Sequence, residues 1–526
     1  MAVIRYSGGL PELSALMDHY IKKILSARVY DVSRETPLDP APNLSARTGT
    51  KVSLKREDLQ PVFSFKCRGA YNRIFNLREQ QPELSGVVCA SAGNHAQGVA
   101  LAASRLGLRA IIVMPQTTPE IKVNSVRALG GETLLHGDNY DEAFARACEV
   151  EAETGYPFIH PFNDVDTIAG QGTIGLEICR QQPSDLDAVF LPIGGGGLAA
   201  GVSVIMKYLR PEVKIIGVEP DDAASMQASV QAGKQVTLNE VGIFADGVAV
   251  KCPGDETFRI CRESLDDIVT CSVDEMCAAI RDVFEDTRTL MEPAGALSVA
   301  GLKKYLEREN ITDGHFAAIT TGANVNFDRL RHVTERAVIG EQKEALLAVT
   351  IPERPGSFRA FCQTLGKRSV TEFNYRRADE NNAVVFVGVQ LSRGLTERTQ
   401  IIEALESADF SVVDLTDDET AKLHVRHMVG GRASAVEDEH LYRFQFPERP
   451  GALSAFLNSM GPEWNITLFH YRNHGAAYGR VLAGIQIPPS EESGLQTFLD
   501  TLGYRYWCED DNPAYKAFLA TAAADT

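Results

Sequence analysis

Along the first two thirds of the chain, short solid runs of apolar residues alternate with stretches whose apolar positions recur every three or four residues. Gly86–Ser91 (GVVCAS), Ala110–Met114, Ala188–Ile193, Val213–Glu219 and Phe316–Thr321 carry apolar residues on both faces, as strands buried inside a parallel sheet do. Between them, Ala96–Leu106 and Tyr140–Glu153 show helical spacing, and Leu198–Leu209 follows a glycine run as a further helix. Strands alternating with helices predict an α/β domain over residues 1–335, doubly wound, with helices on both faces of parallel sheet. Ligands of such domains sit at the carboxyl ends of the strands.

The remaining third has another rhythm and repeats itself. Ile351-Pro352-Glu353-Arg354-Pro355-Gly356 recurs as Phe446-Pro447-Glu448-Arg449-Pro450-Gly451, and Thr371-Glu372-Phe373-Asn374-Tyr375-Arg376 recurs as Thr467-Leu468-Phe469-His470-Tyr471-Arg472. The first unit reads strand (Ala345–Ile351), Pro/Gly turn, helix (Ser357–Leu365), strands (Val370–Arg376, Ala383–Leu391), helix (Thr396–Glu406) and strand (Phe410–Leu415). This βαββαβ order predicts two ferredoxin-like domains, residues 344–418 and 440–518, joined by the polar stretch Asp417–Glu439. Prolines that cannot donate in a sheet end the first strand of each.

A chain of 526 residues with 44% hydrophobic and 23% charged residues suits several ordinary globular domains. The net charge of −18 argues against nucleic acid or an anionic membrane as partner, because both attract a Lys/Arg excess. Ten scattered cysteines lack metal-ligand spacing, and Cys89, Cys179 and Cys277 lie in apolar runs, which predicts reduced thiols. No apolar stretch approaches the ~18 residues of a membrane span, and no signal region opens the chain. The expectation is a cytoplasmic protein.

Four short motifs carry chemistry, and each has an ordinary reading when taken alone. Lys66, in Ser64-Phe65-Lys66-Cys67-Arg68-Gly69-Ala70, is a surface charge unless burial and neighbouring positive charge make its amine a nucleophile; a shift of about three units corresponds to about 4 kcal/mol. Arg68 is near it in sequence. Ser91-Ala92-Gly93-Asn94-His95 is a strand end entering a helix, either a plain cap at Ser91 or a site for a carboxylate, with Asn94 able to donate to a phenolate oxygen. Gly194-Gly195-Gly196-Gly197 precedes a helix and lets backbone N–H groups close on a phosphate. A Walker loop would end in G-K-[ST]; a dinucleotide fingerprint, Gly194-x-Gly196-x-x-Ala199 with Glu219 as the ribose carboxylate, is the rival, but it leaves Lys66, Asn94 and Thr321 unexplained. Thr321, before Gly322-Ala323-Asn324, ends a strand with a hydroxyl that suits a pyridine nitrogen and would leave the ring a weaker electron sink than a carboxylate would. A lysine amine, an amide, a phosphate loop and a hydroxyl are together what pyridoxal 5′-phosphate (PLP) requires.

With SFKCRGAY, SAGNHAQG, GGGGLAAGV, MEPAGA and TGANVNF in this order, followed by the paired repeats, the chain resembles the biosynthetic threonine ammonia-lyases (threonine dehydratases) of the fold-type II PLP enzymes from about Pro37 onward. The resemblance implies a two-subdomain catalytic domain followed by two ACT-like regulatory domains. It implies that Lys66 forms the imine with the cofactor and later acts as base at Cα. Asn94 would bind the cofactor's 3′ oxygen, Gly194 to Gly197 and Leu198 its phosphate, and Thr321, where the family often has Ser, its ring nitrogen. Ser91, Ala92, Gly93 and Asn94 would hold the substrate carboxylate. Related serine racemases carry a second serine where this chain has Ala92, which disfavours racemisation; their metal carboxylates are matched only at Glu219, with Ser225 at the later position, so no metal is expected.

The implied reaction is dehydration and deamination of L-threonine to 2-oxobutanoate and ammonia, the committed step towards isoleucine. L-serine is expected as a second substrate, since one methyl group is worth only about 1–3 kcal/mol. Isoleucine would inhibit through the ACT-like pair, valine would oppose it, and the assembly would be a homotetramer. The alternatives are another hydroxy-amino-acid lyase or β-replacement enzyme of the same fold, and an amino-acid sensor without chemistry, against which the presence of Lys66 speaks.

Overall fold

A computed structural model describes residues 10–182, 184–352, 382–427, 438–447 and 478–519, the strands Val370–Arg377 and Asn465–Arg472, and single positions near them (360–361, 364–365, 368, 456, 459 and 464). The chain divides into two compact units, Met1–Val333 and Thr334–Thr526.

Among the described residues, the first unit holds nine strands in two sheets. The larger sheet contains β1 (Leu38–Pro40), β2 (Lys51–Arg56), β6 (Ala188–Pro192), β7 (Lys214–Pro220), β8 (Asp267–Cys271) and β9 (His315–Thr320) in the order β1-β2-β9-β6-β7-β8. Only the edge strand β1 runs antiparallel. The smaller, parallel sheet is β3 (Gly86–Ala90), β4 (Arg109–Met114) and β5 (Glu132–Leu135). Every apolar run read as a strand is one, and β3, β6 and β9 are buried along their whole length. The expected helices run Asn94–Leu106, Tyr140–Thr154 and Gly197–Leu209. Each sheet has its own core, around Val189, Leu191 and Ile205 in the larger and around Val87, Ile112 and Val99 in the smaller.

Strand β2 escapes a hydropathy reading because its buried positions include Lys55 and Arg56. Lys55 donates to Glu177 (2.6 Å) and to the Thr36 carbonyl (2.6 Å), and Arg68 binds both Glu57 and Glu177. A cluster of two cations and two carboxylates thus lies inside the fold, where pairing makes buried charge tolerable.

Among the described residues, the second unit contains two antiparallel four-stranded sheets. One is β10 (Glu344–Pro352), β11 (Val370–Arg377), β12 (Asn382–Gln390) and β13 (Ser411–Asp414), ordered β11-β12-β10-β13. The other is β14 (Glu439–Pro447), β15 (Asn465–Arg472), β16 (Tyr478–Gln486) and β17 (Arg505–Cys508), ordered β15-β16-β14-β17. Both are the ferredoxin-like order, and both carry a register shift at the same point of the repeat, at Val370/Glu372 and Ile466/Leu468. The Pro/Gly turns at 353–356 and 448–451, and most of the helix expected over Ser357–Leu365, lie outside the described residues.

One expectation is corrected. The stretch Asp417–Glu439 is not simply a polar connection: Glu419–Leu423 is a helix, Val425–His427 a 3-10 turn, and Ala421, Leu423 and Val425 are buried. Asp418 caps that helix by accepting from the Ala421 N–H (2.7 Å), a local signal masked by the surrounding acidic residues. Residues 428–437 lie outside the description.

Candidate active site

A cleft in the first unit is lined by Phe65, Lys66, Asn94, Phe162, Pro192, Gly194 to Gly197, Leu198, Gly247, Val248, Glu292, Ala294 and Thr321. Residues from four separated motifs therefore meet in one place, beyond the carboxyl ends of β6 and β9, where an α/β sheet presents its ligand site.

Lys66 opens the helix Lys66–Gln80. The chain before it is tied to the end of β9 by the Phe65 N–H to the Thr321 carbonyl (3.3 Å) and by a bridge between Ser64 and Gly322. Glycine at 98 lets the helix Asn94–Leu106 press onto it, because a Cβ there would lie 3.0 Å from the Lys66 carbonyl oxygen. Lys66 Nζ donates to the Pro161 carbonyl (3.1 Å). Burial lowers its pKa to about 8, against the opposing pull of Glu292. The expected help from a neighbouring positive charge is absent: the Arg68 guanidinium is engaged by Glu57 and Glu177, so desolvation alone supplies the free amine.

Gly194–Gly197 connects β6 to the helix Gly197–Leu209, whose N-terminus has no side-chain cap. Gly196 holds φ +94°, a conformation that favours glycine. Thr257 Oγ1 fixes the loop by donating to the Gly195 carbonyl (2.6 Å), while a Cβ at Gly195 would strike the Phe162 ring at 2.3 Å. Uncapped helix N–H groups behind a glycine loop make a cradle for a phosphate. Thr321 is 3% exposed and its hydroxyl donates to the Ala294 carbonyl (3.1 Å). An amine, an amide, an anion cradle and a hydroxyl around one cleft fit PLP.

Ser91, Ala92 and Gly93 form the half-buried turn leading into Asn94, beside the lining residues rather than among them. Ser91 is not the helix cap, a second correction: Gly93 occupies the N-cap position, and Ser91 Oγ accepts from the Gly93 N–H (3.2 Å). A Cβ built on Gly93 meets nothing within 4 Å, so open space faces this turn. His95 is buried, shares a hydrogen bond with the Ile159 carbonyl (2.8 Å), and is pushed down to about 3 by burial and then by Lys66; it is a neutral structural group.

Glu219 is buried at the end of β7, and its carboxylate accepts from the Met226 and Gln227 N–H groups, both at 2.8 Å. Burial raises its pKa to about 7. Fully buried and turned to the start of the helix Ser225–Ala232, this carboxylate is not presented to a ribose as the dinucleotide reading needs. Among the described residues, no cluster of three His, Cys, Asp or Glu side chains has the spacing to hold a metal ion.

Sequence reasoning missed Glu292, Asn324 and Phe162 as site residues. Glu292 accepts from Asn94 Nδ2 (2.6 Å), and burial, followed by Asp246, raises its pKa to about 7. Asn324 Nδ2 donates to Asn94 Oδ1 (2.7 Å). Glu292 had a signal, an acid directly before Pro293 at a helix start, and Asn324 closes the TGAN run; nothing local marks Phe162.

Comparison with known proteins points to the same cofactor. The model of the family "Pyridoxal-phosphate dependent enzyme" matches residues 29–322, and that of the "C-terminal regulatory domain of Threonine dehydratase" matches twice, at 335–425 and 430–519. The chain is 56% identical to a biosynthetic L-threonine dehydratase of Burkholderia multivorans, over 95% of this chain and 99% of that one. It is 49% identical to the chloroplastic biosynthetic threonine dehydratase of Arabidopsis thaliana, over 98% of this chain and 88% of the relative. Among solved structures it is similar to the processed threonine deaminase isoform 2 of Solanum lycopersicum (TM-score 0.61, 48% identity, 64% of this chain and 97% of that one). It is also similar to maize serine racemase (TM-score 0.56, 32% identity, 61% and 97%).

Proposed function

Because the chain belongs to the biosynthetic threonine dehydratases, a family of PLP-dependent lyases with C-terminal regulatory domains, we propose how its own residues carry out and control that reaction. The enzyme converts L-threonine to 2-oxobutanoate and ammonia in isoleucine biosynthesis. Atoms balance without a further reactant, since the water lost with the β-hydroxyl is regained when ammonia leaves. When bound, PLP supplies the electron sink that allows the Cα–H bond to ionise and the β-substituent to depart.

The observation that carries the assignment of roles is the convergence of Lys66, Asn94, Gly194–Gly197, Leu198 and Thr321 on one cleft. Lys66 would hold the cofactor through its amine and would take the Cα proton; a pKa of about 8 leaves a useful fraction free near neutrality. The glycine loop and Leu198 hold the phosphate with backbone N–H groups. Asn94 would donate to the ring oxygen. Thr321 would hold the ring nitrogen, and to donate to it the hydroxyl would have to turn its single proton away from the Ala294 carbonyl. The turn Ser91-Ala92-Gly93-Asn94 holds the substrate carboxylate. Ala92 offers no hydroxyl to return a proton to the opposite face of Cα, which separates elimination from racemisation.

The finer reading adds L-serine as a second substrate, isoleucine as an inhibitor and valine as its antagonist at the paired C-terminal domains, a homotetramer, and a cytoplasmic location. Among the described residues no helix is long and apolar enough to cross a membrane. Opposite effects of two ligands that differ by one methylene require them to prefer different states of the protein. Replacing Lys66 with Ala tests the assignment: 2-oxobutanoate formation is expected to vanish, and a variant that keeps most of its turnover would refute it.

A further inference from the structure

A side-chain amide presents an acceptor on one edge and donors on the other, and the two edges are nearly the same shape. Asn94 serves its proposed role only if the donor edge faces the cofactor oxygen, so something must fix its orientation. The Val62 carbonyl can only accept, and Asn324 turns its NH2 to it (2.8 Å). The same NH2 donates to Asn94 Oδ1 (2.7 Å), and Asn94 Nδ2 then donates to Glu292 Oε1 (2.6 Å). The polarity of this chain is set at a backbone carbonyl and runs in one direction to a carboxylate.

The far end is equally confined. The Glu292 N–H is bonded to the Gly322 carbonyl (3.2 Å). Its Oε1 lies against the two glycines that flank it, since a Cβ at Gly322 would come within 2.6 Å and one at Gly247 within 3.6 Å. Glu292 as a whole is 5% exposed.

We propose that Asn324 and Glu292 are positioning residues that clamp the Asn94 amide from its two ends, so that its donor edge alone is offered to the cofactor's ring oxygen. The inference rests on the reading of Asn94 as the group that touches that oxygen. Each clamp suffices alone while Glu292 is ionised, above about pH 7: with Asn324 changed, the Glu292 carboxylate still draws the NH2 edge, and with Glu292 changed to Gln, Asn324 still binds Oδ1. Releasing the amide takes both changes. Glu292 also faces Lys66, Asp246, Lys122 and Arg329, so losing its charge alters the local field as well as the clamp. Asn324→Leu is neutral and similar in shape, and separates the two effects.

The test is a pH titration of the bound cofactor's visible absorption band in purified holoenzyme, for Asn94→Ala, Asn324→Leu, Glu292→Gln and the double variant. The single changes at Asn324 and Glu292 are expected to move the proton affinity of the chromophore less than about threefold. The double variant is expected to move it at least about tenfold, towards Asn94→Ala and beyond the sum of the singles. If Asn324→Leu does not fold, Asn324→Ala replaces it in the same cycle. A shift in Asn94→Ala with an additive or silent double variant would overturn the clamp and leave the Asn94 contact standing. No shift in Asn94→Ala would overturn both.

Discussion

At the residue scale, the chemistry rests on an amine that burial has made partly neutral. A protonated lysine cannot attack the cofactor aldehyde, so capture of added PLP by the apoprotein should follow the free amine of Lys66. The sign follows from the lowered pKa: the rate should rise about tenfold per pH unit below about 8 and level off above it, whereas an ordinary lysine would keep rising past 10. Stopped-flow absorbance of apoprotein mixed with PLP across this range reads the profile, and a rate still climbing at pH 10 would contradict the assigned burial. Lys66, Asn94, the glycine loop and Thr321 were legible from the chain because their spacing relative to strand ends is local information. The roles of Glu292 and Asn324 were not, although both lie in quoted motifs, since they act on Asn94 from 198 and 230 positions away, and Phe162 packs on the glycine loop through contacts that no spacing encodes.

At the element scale, the helix that begins at Lys66 is held by charges on the side away from the cleft. Arg68 is 0% exposed and binds Glu57 (2.8 Å) and Glu177 (2.6 Å). Removing one partner from a buried ion cluster leaves an unmatched charge and costs about 3–5 kcal/mol. Arg68→Met should therefore lower the urea midpoint of the unfolding transition assigned to the catalytic unit, without creating a new ligand. An unchanged midpoint would mean that the cluster does not hold this helix. Buried pairing is also why β2 was illegible in the hydropathy pattern: Lys55 is buried against Glu177, 122 positions away, and Arg56 against Asp58 and the distant Thr289, and the letters K and R imply a surface until those partners are known. The strands β3, β4, β6, β7 and β9 were legible because a strand covered on both faces has to be apolar throughout. The packed helix Glu419–Leu423 was missed for the opposite reason, its capping Asp418 looking like one more acid in a polar stretch.

At the scale of the whole molecule, two units with separate cores divide the labour. The larger unit contains every residue of the cleft and its own two sheets, while the repeats form two antiparallel sheets that match a regulatory family. Deleting Glu344–Thr526 is expected to leave an enzyme that still forms 2-oxobutanoate but no longer responds to isoleucine. Initial-rate assays with and without isoleucine read this, and inhibition that survives the deletion would place the effector site in the catalytic unit. The central claim, that one cleft joins cofactor and substrate, is tested most directly by an absorbance spectrum of the purified full-length protein before and after addition of L-threonine, with 2-oxo acid assayed in the same cuvette. A visible cofactor band that responds to threonine while 2-oxobutanoate accumulates is expected, and in Lys66→Ala no product is expected to form. A protein that shows no such band after incubation with PLP, or a band that threonine leaves unchanged with no product formed, would contradict it.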